Sequence, residues 1–445
     1  MKEEKILNPF LYLFKSKKNR YLAYNGINNS FMKLNEPLFM LLNRAIASPS
    51  LLSELDSDTF LNLENSNVIC TEKQINNYLY QKRFLKSYST FQHDFLNLTI
   101  APTTKCNFTC PYCYEKGIKG VTITDPLITD LLDFIEERSK QTKNAVRITW
   151  YGGEPLLSVN KIIKIMDGLK DRKIDILENS IITNGYYLTK KNLDILIKYG
   201  IQFIQITLDG ASAESHNRRR FMKNKGSWDT ILKNIDDFVA GDDQLIISIR
   251  CNIDTKNQEE YKVLKGNLTE RWKNDKRIYI YPAILRDHST EENLECQYFS
   301  NEEGGNYLLT QQIREKNIPY FKYNIGGCSA NQFNAYLIGP EGELYKCWND
   351  LGKTEKIVGY INDKSSINKN MLFSYLSGPS QFDDAKCTKC CLFFVCDGGC
   401  QWQRLRNENL DKKNSLCHFA KAHIEKYLEG YYQIKKEIND QVPQQ

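Results

Sequence analysis

The stretch Thr104-Lys-Cys106-Asn-Phe-Thr-Cys110-Pro-Tyr-Cys113-Tyr-Glu115 sets three cysteines at C-x3-C-x2-C spacing directly after a strand-like apolar run, Phe95 to Pro102. Three thiolates on one short loop can hold a soft metal centre and leave a coordination position open. A [4Fe-4S] cluster normally takes four Cys ligands, so a dedicated three-Cys loop implies that its fourth iron is kept for something other than protein. Structural zinc fits less well, because zinc prefers paired C-x2-C units that close a tetrahedron.

The rest of the composition bounds the setting. A chain of 445 residues with 41% hydrophobic side chains should form two or three domains with buried cores. The start, Met1-Lys-Glu-Glu-Lys, lacks the pattern of a signal peptide, and no run approaches the roughly 18 apolar residues of a spanning helix, so no membrane association is expected. Fourteen cysteines without a secretion signal point to metal ligation in a reducing compartment, hence the cytoplasm. The formal charge of +6 is mild, and its clusters, Lys15 to Arg20 and Arg218-Arg-Arg220, are short. A nucleic-acid binder needs a denser basic stripe. These clusters read instead as a solvated face or a surface that meets an acidic peptide.

Along the chain, residues 1 to 94 carry only Cys70 and read as a hairpin (Tyr21 to Tyr24, a turn at Asn25-Gly26, Ser30 to Leu34), helices over Glu36 to Ala45, Leu51 to Leu63 and Glu72 to Lys86, and a short strand at Val68 to Cys70. From Phe95 to Ile284, six apolar strand-like runs alternate with amphipathic helices. That pattern predicts parallel pairing with right-handed crossovers in an incomplete barrel. Chemistry in such barrels gathers at the C-terminal strand ends. There stand Gly152-Gly153-Glu154-Pro155 after the second strand, Thr183-Asn184-Gly185 after the third and Asp209-Gly210 after the fourth. Arg250 and Asn252 alternate out of the fifth strand and share a face. Residues 285 to 327 form a connector with a helix over Asn306 to Lys316 and a short strand over Pro319 to Tyr323. Beyond it come Cys328, then Gly342 and Cys347, then Cys387-x2-Cys390-x5-Cys396-x3-Cys400, and after sixteen more residues Cys417.

The three-Cys loop, with the aromatic Tyr112 before its third cysteine, resembles the signature of the radical S-adenosylmethionine (SAM) superfamily. There SAM's amino and carboxylate groups occupy the open iron, and one-electron reduction yields a 5'-deoxyadenosyl radical. The seven-cysteine array over residues 328 to 432 resembles the SPASM domain that carries auxiliary iron-sulfur clusters in many radical SAM maturases, followed by a tail, 433 to 445. The resemblance implies an α/β fold: a partial (β/α)6 TIM-like radical SAM barrel over 95 to 284, an N-terminal winged-helix-like peptide-recognition module over 1 to 94, and a C-terminal SPASM domain. The alternative for residues 1 to 94 is a plain extension packing on the barrel.

Carried over residue by residue, the resemblance implies three [4Fe-4S] clusters. Cys106, Cys110 and Cys113 would hold the first. Cys387, Cys390, Cys396 and Cys417 would complete a second, and Cys328, Cys347 and Cys400 would give three ligands to a third, whose last position falls to Cys296, Cys391 or a substrate thiolate. SAM would lie against Tyr112, Gly152, Gly153, Glu154, Asn184, Asp209, Arg250 and Asn252, although a polar strand end is often only a cap. The implied activity is that of an oxidoreductase that matures a ribosomally synthesised precursor peptide through a thioether or other side-chain cross-link. Its expected partners are a short precursor peptide with a leader, paired against a sheet edge near Val68 to Cys70, and an electron donor such as flavodoxin or ferredoxin. The alternative is an anaerobic sulfatase-maturating enzyme that forms formylglycine. In that family an Asp follows the second SPASM cysteine, whereas here Trp348 follows Cys347 and Asp350 lies three on.

Overall fold

The computed structural model describes residues 3–18, 20–92, 94–143, 145–222, 225–241, 244–286, 296–323, 327–408 and 415–441. It divides into two compact units, one of residues 1–91, 301–331 and 377–445, the other of residues 92–300 and 332–376.

In the first unit, β1 (Ile6–Leu7) pairs antiparallel with β5 (Ile69–Cys70), and β2 (Leu11–Lys15), β3 (Tyr21–Asn25) and β4 (Ser30–Leu34) form a separate antiparallel sheet. Helix α1 (Glu36–Ala45) starts where Asn35 accepts from the Leu38 amide at 2.9 Å. The helix expected over Leu51 to Leu63 is broken. Asp56 accepts from the Thr59 amide at 2.8 Å, caps α2 (Ser57–Asn65), and leaves Pro49–Glu54 as a 3-10 turn. The long α3 (Glu72–Phe91) follows. Two expectations need correcting here. Strand β5 is completely buried and pairs with β1 instead of extending the three-stranded sheet, so it does not offer an exposed edge. Pro319 to Tyr323 is no strand, because side chains take its carbonyls: Asn29 donates to Phe321 O at 2.6 Å and the Tyr427 hydroxyl to Pro319 O.

One core of this unit joins segments distant in sequence. Phe14, Leu22 and Tyr24 of the small sheet pack with Cys391, Leu392 and Val395 of the cysteine array and with Ile424, Tyr427 and Leu428 of the helix Ile424–Gln441.

The second unit is α/β around a nine-stranded, mostly parallel sheet. Six strands run parallel in chain order: β6 (Leu96–Thr103), β7 (Ala145–Gly152), β8 (Asp175–Thr183), β9 (Phe203–Thr207), β10 (Ile246–Ile253) and β11 (Ile278–Ile284). Between them lie α4 (Asp125–Ser139), α5 (Val159–Asp171), α6 (Lys190–Lys198), α7 (Ala213–Arg219), α8 (Trp228–Val239) and α9 (Glu260–Arg271). The near-continuous apolar runs of these strands suit a sheet covered on both faces. Beyond β6 the sheet continues through β12 (Ala335–Ile338), parallel to β6, and the antiparallel β13 (Glu343–Tyr345) and β14 (Gly359–Tyr360). Among the described residues no helix is long and apolar enough to cross a membrane.

Candidate active site

Strand β6 ends at Thr103, and the cysteine loop folds back on itself at once: Thr103 Oγ1 donates to Val121 O at 2.7 Å, and the Thr104 amide donates to the same carbonyl at 2.9 Å. Within the loop the Cys113 amide donates to Cys110 O at 3.1 Å and the Phe108 amide to Cys106 Sγ at 3.4 Å. Cys110 is buried, while Cys106 and Cys113 are exposed.

The Gly-Gly-Glu turn after β7 lies directly against this loop. Gly153 N donates to Thr103 O at 3.1 Å and Glu154 N to Lys105 O at 2.9 Å. Gly152 has φ +108°, and a Cβ on Gly153 would sit 2.4 Å from Lys105 O and 2.6 Å from Thr104 O. Two glycines are therefore needed for backbone to meet backbone here. The Glu154 carboxylate is fully buried; its Oε1 accepts from the Thr183 hydroxyl (2.7 Å) and the Leu156 amide (3.0 Å), and its Oε2 from the Asn184 amide (2.7 Å). Burial pushes this carboxyl up from its ordinary value, and those donors pull it back. Asn184 closes the circle by donating to Asn107 Oδ1 at 2.8 Å, back inside the cysteine loop.

A second web centres on Asp209, which is wholly buried. Its Oδ1 accepts from the Asn252 amide at 2.9 Å and its Oδ2 from the Tyr112 hydroxyl. Arg220 Nη1 donates to that hydroxyl at 3.1 Å, and Arg219 Nη1 donates to Asp254 Oδ2 at 2.9 Å while its Nε stands 4.0 Å from Asp209. Arg219 and Arg220 are thus buried parts of the site. The sequence reading had assigned this run to a solvated or peptide-facing surface. The signal it passed over is Ser212, whose side chain caps the seven-residue α7 and sets the helix so that His216, Arg219 and Arg220 turn inward. His216 Nδ1 accepts from the Asp209 amide at 3.2 Å, which leaves the proton on Nε2, 3.1 Å from Ser227 Oγ. Burial, reinforced by Arg220, pushes its pKa down to about 3.

Arg250 and Asn252 do share a face, and Arg250 Nε donates to Asn252 Oδ1 at 2.8 Å. Tyr151, at the end of β7, stacks on Trp348 with centroids 4.9 Å apart, and Trp348 Nε1 donates to Thr99 Oγ1 at 3.0 Å. Asp350 is fully buried and accepts from the Tyr375 hydroxyl.

The remaining cysteines are divided between the units: Cys347 belongs to the second, and Cys328, Cys387, Cys390, Cys396, Cys400 and Cys417 to the first. In the first unit the Cys390 amide donates to Cys387 O at 2.9 Å and the Gly398 amide to Cys396 Sγ at 3.3 Å. Cys70, Cys251, Cys296 and Cys391 are all buried, and Cys391 stands inside the shared apolar core.

Three motifs distant in sequence, on the ends of β6, β7 and β8, therefore converge on one network. Residues 100–241 match the profile of the Radical SAM superfamily. Over that stretch the chain is similar to radical SAM domains. The radical SAM cyclopropyl synthase TigE of Paramaledivibacter caminithermalis is 24% identical over 256 residues, covering 50% of this chain and 52% of that protein. The chain spans about half the length of the curated relatives it matches. Among solved structures, anSMEcpe with bound AdoMet and the Cp18Cys peptide superposes with a TM-score of 0.60 at 17% identity, covering 78% of this chain and 99% of that one. Streptococcus suis SuiB bound to the precursor peptide SuiA has a TM-score of 0.55 at 14% identity, covering 93% and 99%. At these identities the likeness is one of fold.

A radical SAM domain implies a [4Fe-4S] cluster and SAM. The donor chemistry of the cysteine loop fits, since three thiols make a soft set; burial pushes the Cys110 thiol up, and the Arg220 guanidinium pulls it part of the way back. Among the described residues, no three His, Cys, Asp or Glu side chains converge closely enough to grip a metal ion by themselves.

Proposed function

We propose that this chain is a radical SAM peptide maturase, built on a partial (β/α)6 barrel, that installs a thioether or other side-chain cross-link in a ribosomally synthesised precursor peptide. The observation that carries the reading is the lock between the cysteine loop and the Gly-Gly-Glu turn, continued through Glu154 into Thr183 and Asn184. Cys106, Cys110 and Cys113 would ligate the cluster. With SAM bound, that centre would supply one-electron radical chemistry toward the peptide. The chain's part is to hold and orient. Glu154 offers an anionic acceptor to the SAM ammonium, the glycines let backbone come close, and Tyr112, Asn184, Asp209 and Asn252 form the polar rim. Buried Arg220 stands at the cysteine end, where the SAM carboxylate belongs.

In the same reading the C-terminal cysteines hold two auxiliary clusters, one on Cys387, Cys390, Cys396 and Cys417 and one on Cys328, Cys347 and Cys400 with an iron open to a substrate thiolate. The place of Cys391 in an apolar core disfavours it as the missing ligand. Cys296→Ala tests the remaining rival: an unchanged iron count and product support the open iron. Formylglycine formation is the less favoured reading, because Trp348 stands after Cys347 where that family has its Asp, and Asp350 is buried against Tyr375. The deciding experiment is anaerobic reconstitution and assay for 5'-deoxyadenosine, followed by mass analysis of a neighbouring short peptide after co-expression. Cleavage of SAM by a Cys106/Cys110/Cys113→Ala triple variant would refute the reading.

A further inference from the structure

Arg220 and Arg250 make no hydrogen bond or ion pair to a carboxylate among the described residues, and SAM has only one carboxylate to share between them. Arg220 stands at the cysteine loop: it reaches Tyr112, lies over the Phe108 ring at 5.2 Å, and keeps a buried Nε with no partner. That is the end at which SAM's amino acid part meets iron in the reading above. Arg250 is placed differently. It sits on β10, in register with Tyr281 on the terminal strand β11 and with Thr207 on β9. By strand alternation it shares a face with Ser248 and Asn252, opposite to Ile249 and Cys251.

Its geometry is that of a held but unused fork. Nε is tied to Asn252 Oδ1 at 2.8 Å, which fixes the plane of the guanidinium, while Nη1 and Nη2 have no hydrogen-bond or ion-pair partner among the described residues. The acids of the neighbouring web are already committed: Asp209 to Tyr112 and the Asn252 amide, Asp254 to Arg219. On one side, the Tyr281 hydroxyl donates to Gln205 Oε1 at 2.9 Å, so that ring is pinned beside the arginine. On the other, Arg250 acts on Tyr151 of β7, three strands away, and partly offsets the rise that burial imposes on its phenol.

A guanidinium with two parallel N–H groups free and its third donor anchored matches a carboxylate in bidentate geometry. SAM's single carboxylate belongs at the opposite, cysteine end, and its adenosine part is not anionic. We propose that Arg250, flanked by Tyr281 and Tyr151, is a substrate subsite that binds a carboxylate of the peptide, an Asp or Glu side chain close to the residue that is modified. This rests on the radical SAM peptide-maturase reading and adds the chemical class of the residue it selects. It also moves Arg250 from the SAM set, where the sequence put it, to the substrate.

The test uses anaerobically reconstituted full-length enzyme with SAM bound, and two probes: N-acetyl-aspartate N-methylamide and its asparagine counterpart. Binding is followed by saturation-transfer NMR, and SAM affinity by equilibrium dialysis. Wild-type enzyme should bind the aspartate probe and prefer it to the asparagine probe by about tenfold or more, as expected when a charged bidentate pair loses its anion. Arg250→Gln should abolish that preference and lower aspartate binding by about tenfold, with a smaller loss of SAM affinity, and Arg250→Lys should restore part of the preference because it keeps the charge without the fork. The proposal is overturned if wild-type enzyme does not distinguish the probes, or if Arg250→Gln loses SAM affinity while the probe preference persists. Failure of the wild-type protein to bind SAM at all would instead overturn the reading of the domain itself.

Discussion

Gly153 shows at the scale of one residue why the motif reads Gly-Gly-Glu. A methyl group there would fall inside van der Waals contact of the Lys105 and Thr104 carbonyls, and backbone atoms cannot swing aside as a side chain can. Gly153→Ala should therefore push the root of the cysteine loop off β7, with an overpacking cost of about 1–3 kcal/mol. The expected result is loss of the loop's cluster absorbance with the fold retained by circular dichroism; an intact cluster would show that the close approach is dispensable. His216 supports the same site from behind and makes a pH prediction. Its folded pKa of about 3 lies below the ordinary 6.5, so the unfolded chain takes up a proton that the folded chain refuses. Stability is then fully present above pH 6.5 and is lost as the pH falls towards 3, by about 1.4 kcal/mol per unit over that window. His216→Asn, which keeps an acceptor for the Asp209 amide, should remove this slope from the difference between the two urea-unfolding profiles. Identical slopes would rule the histidine out as their source.

At the scale of elements, the helix Gln401–Asn407 organises the C-terminal cysteine loop through Arg404. Its Nε donates to Gly398 O at 2.7 Å, Nη1 to Ser380 O at 3.4 Å and Nη2 to Cys387 Sγ at 3.5 Å, with Asp384 also within 3.5 Å of Nη1. One planar fork thus ties residues 380, 387 and 398 together, which a lysine cannot do. Arg404→Lys should cost one cluster, about 4 iron atoms per chain, and unchanged iron would show that the loop holds itself. Arg404 was invisible in the sequence, where it is one cation in a polar helix; only folding brings it back to Cys387. What was legible follows period and spacing. The six alternating strands, the Tyr21 to Leu34 hairpin and the polar strand ends are local patterns, and each appears where expected. Strands β1 and β2 were missed because Ile6–Leu7 and Leu11–Lys15 are short and take their form from partners, Cys70 and Tyr24 among them. The buried arginines were missed for a similar reason: the Ser212 cap marks where α7 starts, but only the fold brings Arg219 to Asp254 and Arg220 to Tyr112.

For the whole molecule, the decisive question is whether residues 1–91 are an appended module or part of the cysteine array's own core. Their small sheet packs on Cys391, Leu392 and Val395, and a Cβ on Gly26 would come within 2.0 Å of Cys391 O. Helix α3 adds Lys82 Nζ to Phe394 O at 3.0 Å and Lys86 to Asp397 at 3.8 Å. Buried apolar surface on this scale cannot be exposed without loosening what it covers. Removing residues 1–91 should therefore release the iron held by Cys387, Cys390, Cys396 and Cys417 as well as ending any peptide recognition. The second unit keeps its own sheet and every residue proposed to meet SAM, all of the latter within 92–300. Iron should fall from about 12 to about 8 atoms per chain, and SAM cleavage without peptide should persist under dithionite. Retention of about 12 iron atoms would mean that the array folds without its N-terminal cover. Deletion would then be a clean test of leader binding; under the shared core it is not, and point substitutions on the outer faces of β2 and β4 are the informative ones.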